Sequence, residues 1–409
     1  MTISRRNFVK SIPPLLGTLY IPPLPHFEIT DWENIKSLYG IDHYPYLHLN
    51  SGSAGIMPTL VIQQLDRLKD QMNQSPPYEF WDGLKELRYT NVKRLGKLIG
   101  AKPEELAIVR NTTEAVNLIV FGTKTQPGDE WVCATSDYPY GIGAMDQVAR
   151  TQGIKLNKIA LDDVDTVSDE AIINRYAEAI TPQTKLLLLS HMTFREGRLL
   201  PIKKITKLAH AQGAKVLLDA AHTYAHIDHD VKSLGIDYYA TSLHKWLTAP
   251  HGTGLLYIKS GEAEFINPPL PLIESDQGMV KFTHLGTRAF QDIVGINYSL
   301  TFQDVIGFKK KIKRLKALSD YWTSRVADIP KLKFHTPLEN DQYGAVVAFS
   351  LKGLSGSVLL KRLYEDYSIH TKVSGYSGKS FIRITPNLFT LESDLDKLVT
   401  AIHQIAKTL

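Results

Sequence analysis

Two side chains of opposite charge stand at the ends of short apolar runs in the middle of the chain. Asp219 closes the run 216–218, and Ser242, Leu243, His244 and Lys245 follow the run 238–241. A buried carboxylate needs a partner, and a protonated pyridine nitrogen is one that also turns its ring into an electron sink. A lysine flanked by the hydrogen-bonding groups of Ser242 and His244 suits the capture of an aldehyde. Acid and amine together suit a cofactor that carries both a ring nitrogen and an aldehyde. A third piece is Asn111, Thr112 and Thr113, which open a helix. Free N–H groups and two hydroxyls at a helix start suit a phosphate, although the same residues alone serve equally as a helix cap.

The elements that must position these groups follow from the pattern around them. Both runs are short, apolar and bounded by polar residues, as buried parallel strands are. Such strands deliver their last residues to the carboxyl edge of a sheet, where open α/β folds bind ligands. From about residue 105 strands (106–109, 131–134, 155–160, 186–189, then the two above) alternate with helices (113–121, from 142, 169–180, 201–212). Pro201 opens the last of these helices and Gly213 follows it. The alternation predicts an α/β fold with a mainly parallel central sheet covered by helices.

Upstream, a short strand at 46–49 enters Asn50-Ser51-Gly52-Ser53-Ala54-Gly55, where glycine lets backbone approach a ligand or another subunit. Helices are predicted at 60–72 and 84–99. Beyond residue 291 two long helices (292–307, 309–326) precede a strand at 345–351, a helix at 355–367, a strand at 381–385 and a helix at 391–409. This reads as a smaller α+β domain over 291–409, following a large domain over 51–290 and an N-terminal segment over 26–50.

A chain of 409 residues is long enough for two domains with a sizeable core. Apolar content of 43% and charged content of 22% are those of an ordinary soluble globular protein. The net charge of +5 is small, and its densest patch, Lys309, Lys310, Lys311, Lys313 and Arg314, has the spacing of a solvated helix face and not of a nucleic-acid site. The single cysteine, Cys133, excludes an intramolecular disulfide framework and a four-cysteine zinc site; inside an apolar run it reads as a buried small hydrophobe. No stretch approaches the length of a membrane span. At the N-terminus, Ser4-Arg5-Arg6-Asn7-Phe8-Val9-Lys10 before a mildly apolar stretch resembles a twin-arginine export signal over residues 1–25. It implies a periplasmic protein; without export the chain stays in the cytoplasm. Pro13, Pro14, Pro22 and Pro23 interrupt the apolar stretch, and no A-x-A cleavage site follows it.

Seven segments occur in a telling order: N-T-T-E-A-V-N from Asn111, D-Y-P-Y-G from Asp137, S-H-M-T-F-R-E-G from Ser190, D-A-A-H from Asp219, S-L-H-K-W from Ser242, H-L-G-T-R from His284 and R-I-T-P from Arg383. Together they resemble the class V aminotransferase family of fold-type I pyridoxal-phosphate enzymes, which includes cysteine desulfurases, isopenicillin N epimerases and kynureninases. The resemblance covers nearly everything from Asn50 onward. It implies pyridoxal 5'-phosphate as cofactor, with Lys245 as its Schiff-base lysine and later the proton shuttle, and Asp219 paired with the pyridine nitrogen. Thr112, Thr113, Ser242 and His244 would hold the phosphate, Tyr140 would stack on the ring, and His222 would reach the phenolic oxygen. Gly286 and Thr287 would complete the phosphate site of a neighbouring subunit, which implies a homodimer with shared active sites. Arg383, with Asn50 on the same side, would clamp a substrate α-carboxylate, for which a planar bidentate fork is suited.

Departures from the family pattern narrow the expectation. Phe194 stands where the family places an asparagine near the phenolic oxygen, which leaves His222 or Thr193 as donors. The C-terminal region has no cysteine, so a desulfurase that uses a mobile nucleophilic cysteine there is not expected. H-L-G-T-R and H-K-W-L resemble most the epimerase-like branch. The expected substrate is an amino acid or a peptide-linked amino group, with transamination, epimerisation, elimination and decarboxylation all open. With export, the chain also resembles the periplasmic enzyme of this family that modifies a glutamyl group of a siderophore or peptide. A non-catalytic binding protein is the reading from another class, and the retained Lys245 and Asp219 argue against it.

Overall fold

The computed structural model describes residues 31–41, 43–74, 79–270, 278–283, 286, 288–339, 342–376 and 378–409. The expected export signal and Thr287 lie outside the described residues. After strand β1 (Leu47–His48) come β2 (Leu106–Val109), β3 (Glu130–Ala134), β4 (Lys155–Ile159), β5 (Thr184–Ser190), β6 (Lys215–Asp219), β7 (Tyr238–Ser242) and β8 (Gly254–Ile258). Strands β2 to β8 form one sheet in the order β2-β8-β7-β6-β5-β3-β4. Neighbours from β7 to β4 are parallel, whereas β8 runs antiparallel to both β2 and β7.

Successive side chains of a strand point to opposite faces, and both faces here are dry. Leu187, Leu189, Val216 and Leu218 enter one core, while Leu186, Leu188 and Leu217 enter the other. That double burial is why these strands read as continuous apolar runs. Cys133, on β3, is fully buried among them, as its setting in the sequence implied. The sequence does not single out strand β8: residues 242–253 mix apolar Leu243, Trp246 and Leu247 with polar groups, so the run 254–258 reads as part of the same stretch.

The smaller body contains β9 (Leu332–Phe334), β10 (Val347–Leu351), β11 (Ile369–His370), β12 (Lys372–Tyr376) and β13 (Lys379–Ile384). Four of these make an antiparallel sheet in the order β12-β13-β10-β9. Trp322, Phe349, Ile382 and Leu398 fill its core together with Leu49. The N-terminal segment therefore belongs here: β1 pairs with β11, and Asn50 bridges Thr385. Conversely, helix Phe290–Ile306 sits against helices Thr59–Gln74 and Glu79–Lys97, where Asn91 donates to the Ile293 carbonyl at 2.6 Å. Twelve of the 17 residues of that helix are buried, in an unbroken run over 293–303 and at Ile306, so it is an interior helix of the large body. Among the described residues no helix is long and apolar enough to cross a membrane.

The lysine-rich cluster departs from expectation. Lys309 and Lys310 are exposed, but Lys311 and Arg314 are buried, because helix Phe308–Ser324 turns 311, 315, 318 and 322 onto one inward face. Lys311 donates its Nζ to the carbonyl of Trp246. Arg314 pairs with Glu392 and lies over the Trp32 ring.

Asp165, from the loop after β4, clasps the two bodies together. Its carboxylate is wholly buried and accepts from His335 Nδ1 at 2.9 Å and Lys379 Nζ at 3.0 Å. Burial alone would raise its pKa, but those two bonds outweigh it and hold the carboxyl well below the usual carboxylate range. A depressed carboxyl contributes its full stability above the ordinary carboxylate pKa and loses it only as pH falls below that value. Asp165→Asn is expected to cost roughly 2 kcal/mol, because the hydrogen bonds from His335 and Lys379 lose their charged acceptor. An unchanged denaturant midpoint at neutral pH would contradict the clasp.

Candidate active site

The carboxyl edge of the sheet and β13 enclose one cavity, and the chemistry-bearing groups converge on it. One end is built from the start of helix Thr112–Gly122. Asn111 caps the helix, its Oδ1 accepting from the Glu114 N–H at 2.8 Å. The Thr112 N–H donates to Ser242 Oγ at 3.0 Å, and the two hydroxyls meet at 2.7 Å. This ties the helix start to the end of β7. Gly254 permits the approach: a Cβ there would stand 2.7 Å from the Asn111 nitrogen and 2.8 Å from the Thr241 carbonyl oxygen. Thr113 and His244 line the same end. His244 Nδ1 lies 3.2 Å from the Thr253 carbonyl and so carries a proton, while burial, then Lys245, lower the ring's pKa to about 4. Its Nε2 is thus a lone pair that an adjacent anion would favour protonating.

At the other end of the edge, Asp219 faces the cavity from the tip of β6. Its carboxyl is raised above its ordinary value, chiefly by enclosure in protein, against the Ala221 N–H that donates to Oδ1 at 3.0 Å and the charge of Lys245. His222 is buried in the same wall, and its Nδ1 has no hydrogen-bond partner among the described residues. Burial, reinforced by Lys245 and Arg383, holds it well below the usual histidine range, so the ring is neutral. Asp137 braces this edge: it accepts from the N–H groups of Ala134 and Ser190, both at 2.8 Å, joining β3 to β5.

Lys245 stands in the connection between β7 and β8, whose backbone is fixed from several directions. The Gly55 N–H donates to the His244 carbonyl at 2.7 Å, and a Cβ on Gly55 would fall 2.1 Å from the Lys245 carbonyl oxygen. Glycine there thus serves an approach of the chain to itself. The Trp246 carbonyl takes Lys311, and its indole stacks on His226 with centroids 3.8 Å apart. Thr248 holds a φ of +56°, strained for a β-branched residue, and its Oγ1 accepts from Gln303 at 3.2 Å. The amine itself lines the cavity. Enclosure lowers its pKa to about 8; Asp219 opposes that shift, and Arg383 and Lys372 add to it.

Arg383, on β13, is buried and has no carboxylate partner among the described residues. Its Nη1 donates to the Phe194 carbonyl at 2.7 Å, and its Nη2 to Ser53 Oγ at 3.2 Å and Asn50 Oδ1 at 3.4 Å. Its Nε has no partner. Burial lowers its pKa to about 10, with Tyr138 acting against the shift. Asn50 therefore positions the guanidinium, and it is Ser53 that reaches the cavity wall.

Three expectations need correction or fall short. Tyr140 lies in the first turn of helix Pro139–Gln152 with 69% of its surface exposed, and Tyr138 instead lines the cavity, its ring edge-on to Phe194 at 5.1 Å. The cap position holds Tyr138 beside the edge, whereas two residues into the helix the side chain has rotated away. Thr193 accepts the Arg198 N–H at 3.1 Å inside its own loop and is no donor to the cavity. Gly286 is exposed, with a φ of +63° and open space where a Cβ would go. Phe194, which the resemblance sets near the phenolic oxygen, does line the cavity, as do Ser53 and Lys372, which the sequence does not single out; Tyr138 leaves a signal only through the D-Y-P-Y-G run. Among the described residues no group of His, Cys, Asp and Glu could hold a metal ion.

These groups fit pyridoxal phosphate. A carboxylate kept from water suits the ring nitrogen, an unpartnered His222 Nδ1 suits a ring oxygen, and an N–H and hydroxyl cradle at a helix start suits the phosphate. Fold and site together define a fold-type I pyridoxal-phosphate enzyme. The family model for aminotransferase class V matches residues 79–392, and the chain belongs to that family. Isopenicillin N epimerase of Streptomyces clavuligerus is 27% identical over 92% of this chain and 99% of its own. A cysteine desulfurase of Dickeya dadantii is 26% identical over 76% of this chain and 78% of its own. A mutant of C-DES with glycine covalently linked to its PLP cofactor superposes with a TM-score of 0.81 at 20% identity, covering 91% of this chain and 98% of that one.

Capture of the aldehyde requires the neutral amine, so uptake of pyridoxal phosphate by cofactor-free protein is expected to accelerate as pH rises through about 8. Asp219→Asn removes the charge that holds the ammonium protonated and is expected to move the inflection to lower pH. Stopped-flow absorbance across pH reads both. A rate flat with pH, or an inflection displaced upward, would contradict the assignment.

Proposed function

We propose that the protein acts on the α-amino group of an amino acid or of a peptide-linked residue, in a reaction that begins with loss of the α-proton. The observation that carries this reading is Arg383, a buried guanidinium with no carboxylate partner among the described residues, in the wall that also holds Lys245. An uncompensated buried cation is costly unless a ligand neutralises it, and a substrate carboxylate does so through the unused Nε and its neighbour.

Bound pyridoxal phosphate supplies an electron sink for the charge left when the α-proton departs. Thr112, Thr113, Ser242 and His244 would hold its phosphate, Asp219 would keep a proton at its ring nitrogen, and Tyr138 would lie beside its ring. Lys245 Nζ, with a pKa near 8, is neutral often enough to take the proton from the substrate and still acidic enough to return it. Arg383 orients the substrate so that its α-carbon faces that amine. Phe194 and Met192 form the apolar part of the wall and limit water at the reacting carbon. Likeness to the isopenicillin N epimerases over nearly the full length of both chains supports epimerisation or transamination ahead of desulfuration. The one cysteine, Cys133, is buried on strand β3 of the sheet with its thiol pushed up by burial, and is no nucleophile for a persulfide.

We further propose a homodimer in which Gly286 and Thr287 of each subunit complete the partner's phosphate end, and export of the folded protein through Arg5 and Arg6. Purified protein is expected to be yellow, to lose that colour to borohydride and to lack it as Lys245→Ala. Supplied with an amino-acid panel, it should exchange the α-proton for solvent deuterium, and Arg383→Gln should lower kcat/KM about a hundredfold, as loss of a charge-assisted bidentate contact does. Colourless protein, or exchange indifferent to Arg383, would contradict the reading, and a monomer with full cofactor uptake would contradict the dimer. For export, replacing both arginines by lysine should hold the protein in the cytoplasmic fraction, and unchanged fractionation would refute the signal.

A further inference from the structure

The wall around Arg383 carries a second cation that the reaction above leaves unused. Lys372 opens β12 and is the direct cross-strand partner of Arg383 on β13. Directly opposed residues of an antiparallel pair project to the same face, and both side chains line the cavity. Like charges facing one another across strands are destabilising. Here they are also uncompensated: neither has a carboxylate partner among the described residues. Each is felt at the reacting end of the cavity: burial lowers the pKa of Lys245 and of His222, and the charges of Arg383 and Lys372 add to both shifts.

The cavity's acidic lining is Asp219, and its lysines and arginine are Lys245, Lys372 and Arg383. Asp219 is taken by the ring nitrogen and Lys245 by the aldehyde, while the phosphate end is served by N–H groups, hydroxyls and His244. Arg383 and Lys372 then remain for the substrate. An ordinary α-carboxylate neutralises one of them. β12 is an edge strand and Lys372 is exposed at the mouth of the cavity, so nothing in the folding of the sheet demands a lysine there.

We propose that Lys372 is the second anion contact of this pocket and that the substrate carries two carboxylates, one on Arg383 and the other on Lys372. The class is that of acidic amino acids and of peptide-linked residues that keep both acid groups free. The inference rests on the reading of Arg383 as the α-carboxylate clamp.

Equilibrium binding of unreactive acids to the cofactor-loaded protein, followed by the shift in cofactor absorbance, tests the two claims separately. Glutarate and valerate have the same chain length and differ in the second carboxylate. Wild-type protein is expected to bind glutarate about five-fold more tightly, the scale of one partly solvated ion pair. Lys372→Gln should erase that preference while leaving valerate binding unchanged, and Lys372→Arg should keep it. Arg383→Gln should weaken both acids. Equal binding by wild type, or a preference that survives Lys372→Gln, would overturn the role of Lys372; valerate binding that still depends on Arg383 would then leave the amino-acid reading standing. Failure of both acids to bind would overturn both. Unchanged cofactor absorbance in the Lys372 variants shows that the site is folded.

Discussion

Charge is buried at one cavity without being neutralised there, and much of the fold exists to hold it so. Two enclosed cations, Lys245 and Arg383, and one carboxylate face the same space with the exposed Lys372 at its rim, yet none of the cations forms an ion pair with a protein group among the described residues. A protein interior tolerates this only where surrounding structure fixes each group and a ligand completes the pairing. Arg383 shows how: its fork is held by a backbone carbonyl and two side-chain oxygens that orient it without cancelling its charge. Lys245 shows the complementary device, a backbone pinned by Gly55 and Lys311 while the amine stays free.

The same constraint explains why the two bodies meet where they do. Asp219, Ser242 and Lys245 come from the large sheet and Arg383 from the small one, so the cavity is complete only when the bodies are docked. Residues outside the cavity serve that docking. Asp165 reaches across to His335 and Lys379, and Lys311 ties helix Phe308–Ser324 to the lysine loop. Substrate and cofactor ends of the site are thereby set by different sheets and held in register by buried polar contacts.

The cofactor half was legible in the sequence because its residues follow strands with a strong apolar signature. Asp219, Ser242, His244 and Lys245 all sit at or just beyond strand ends that period and burial make plain. Strand β8 is not legible, since the connection 243–253 is itself partly apolar and gives the run 254–258 no separate mark. The D-Y-P-Y-G motif does not separate Tyr138 from Tyr140, because a sequence motif gives order but not the rotation of a helix start. Lys311 looked solvated because a lysine-rich run hides which helix face turns inward. Lys372 and Ser53 depend on long-range pairing, β12 with β13 and residue 53 with Arg383, which spacing along the chain does not encode.

The central claim is that Lys245 and Asp219 are the two anchors of one pyridoxal phosphate. A crystal structure of the protein loaded with the cofactor tests it most directly. The account requires density continuous from Lys245 Nζ into the cofactor, the ring nitrogen within hydrogen-bond distance of an Asp219 oxygen, and the phosphate against Thr112 and Ser242. Cofactor attached to another lysine, or a ring nitrogen turned away from Asp219, would contradict it.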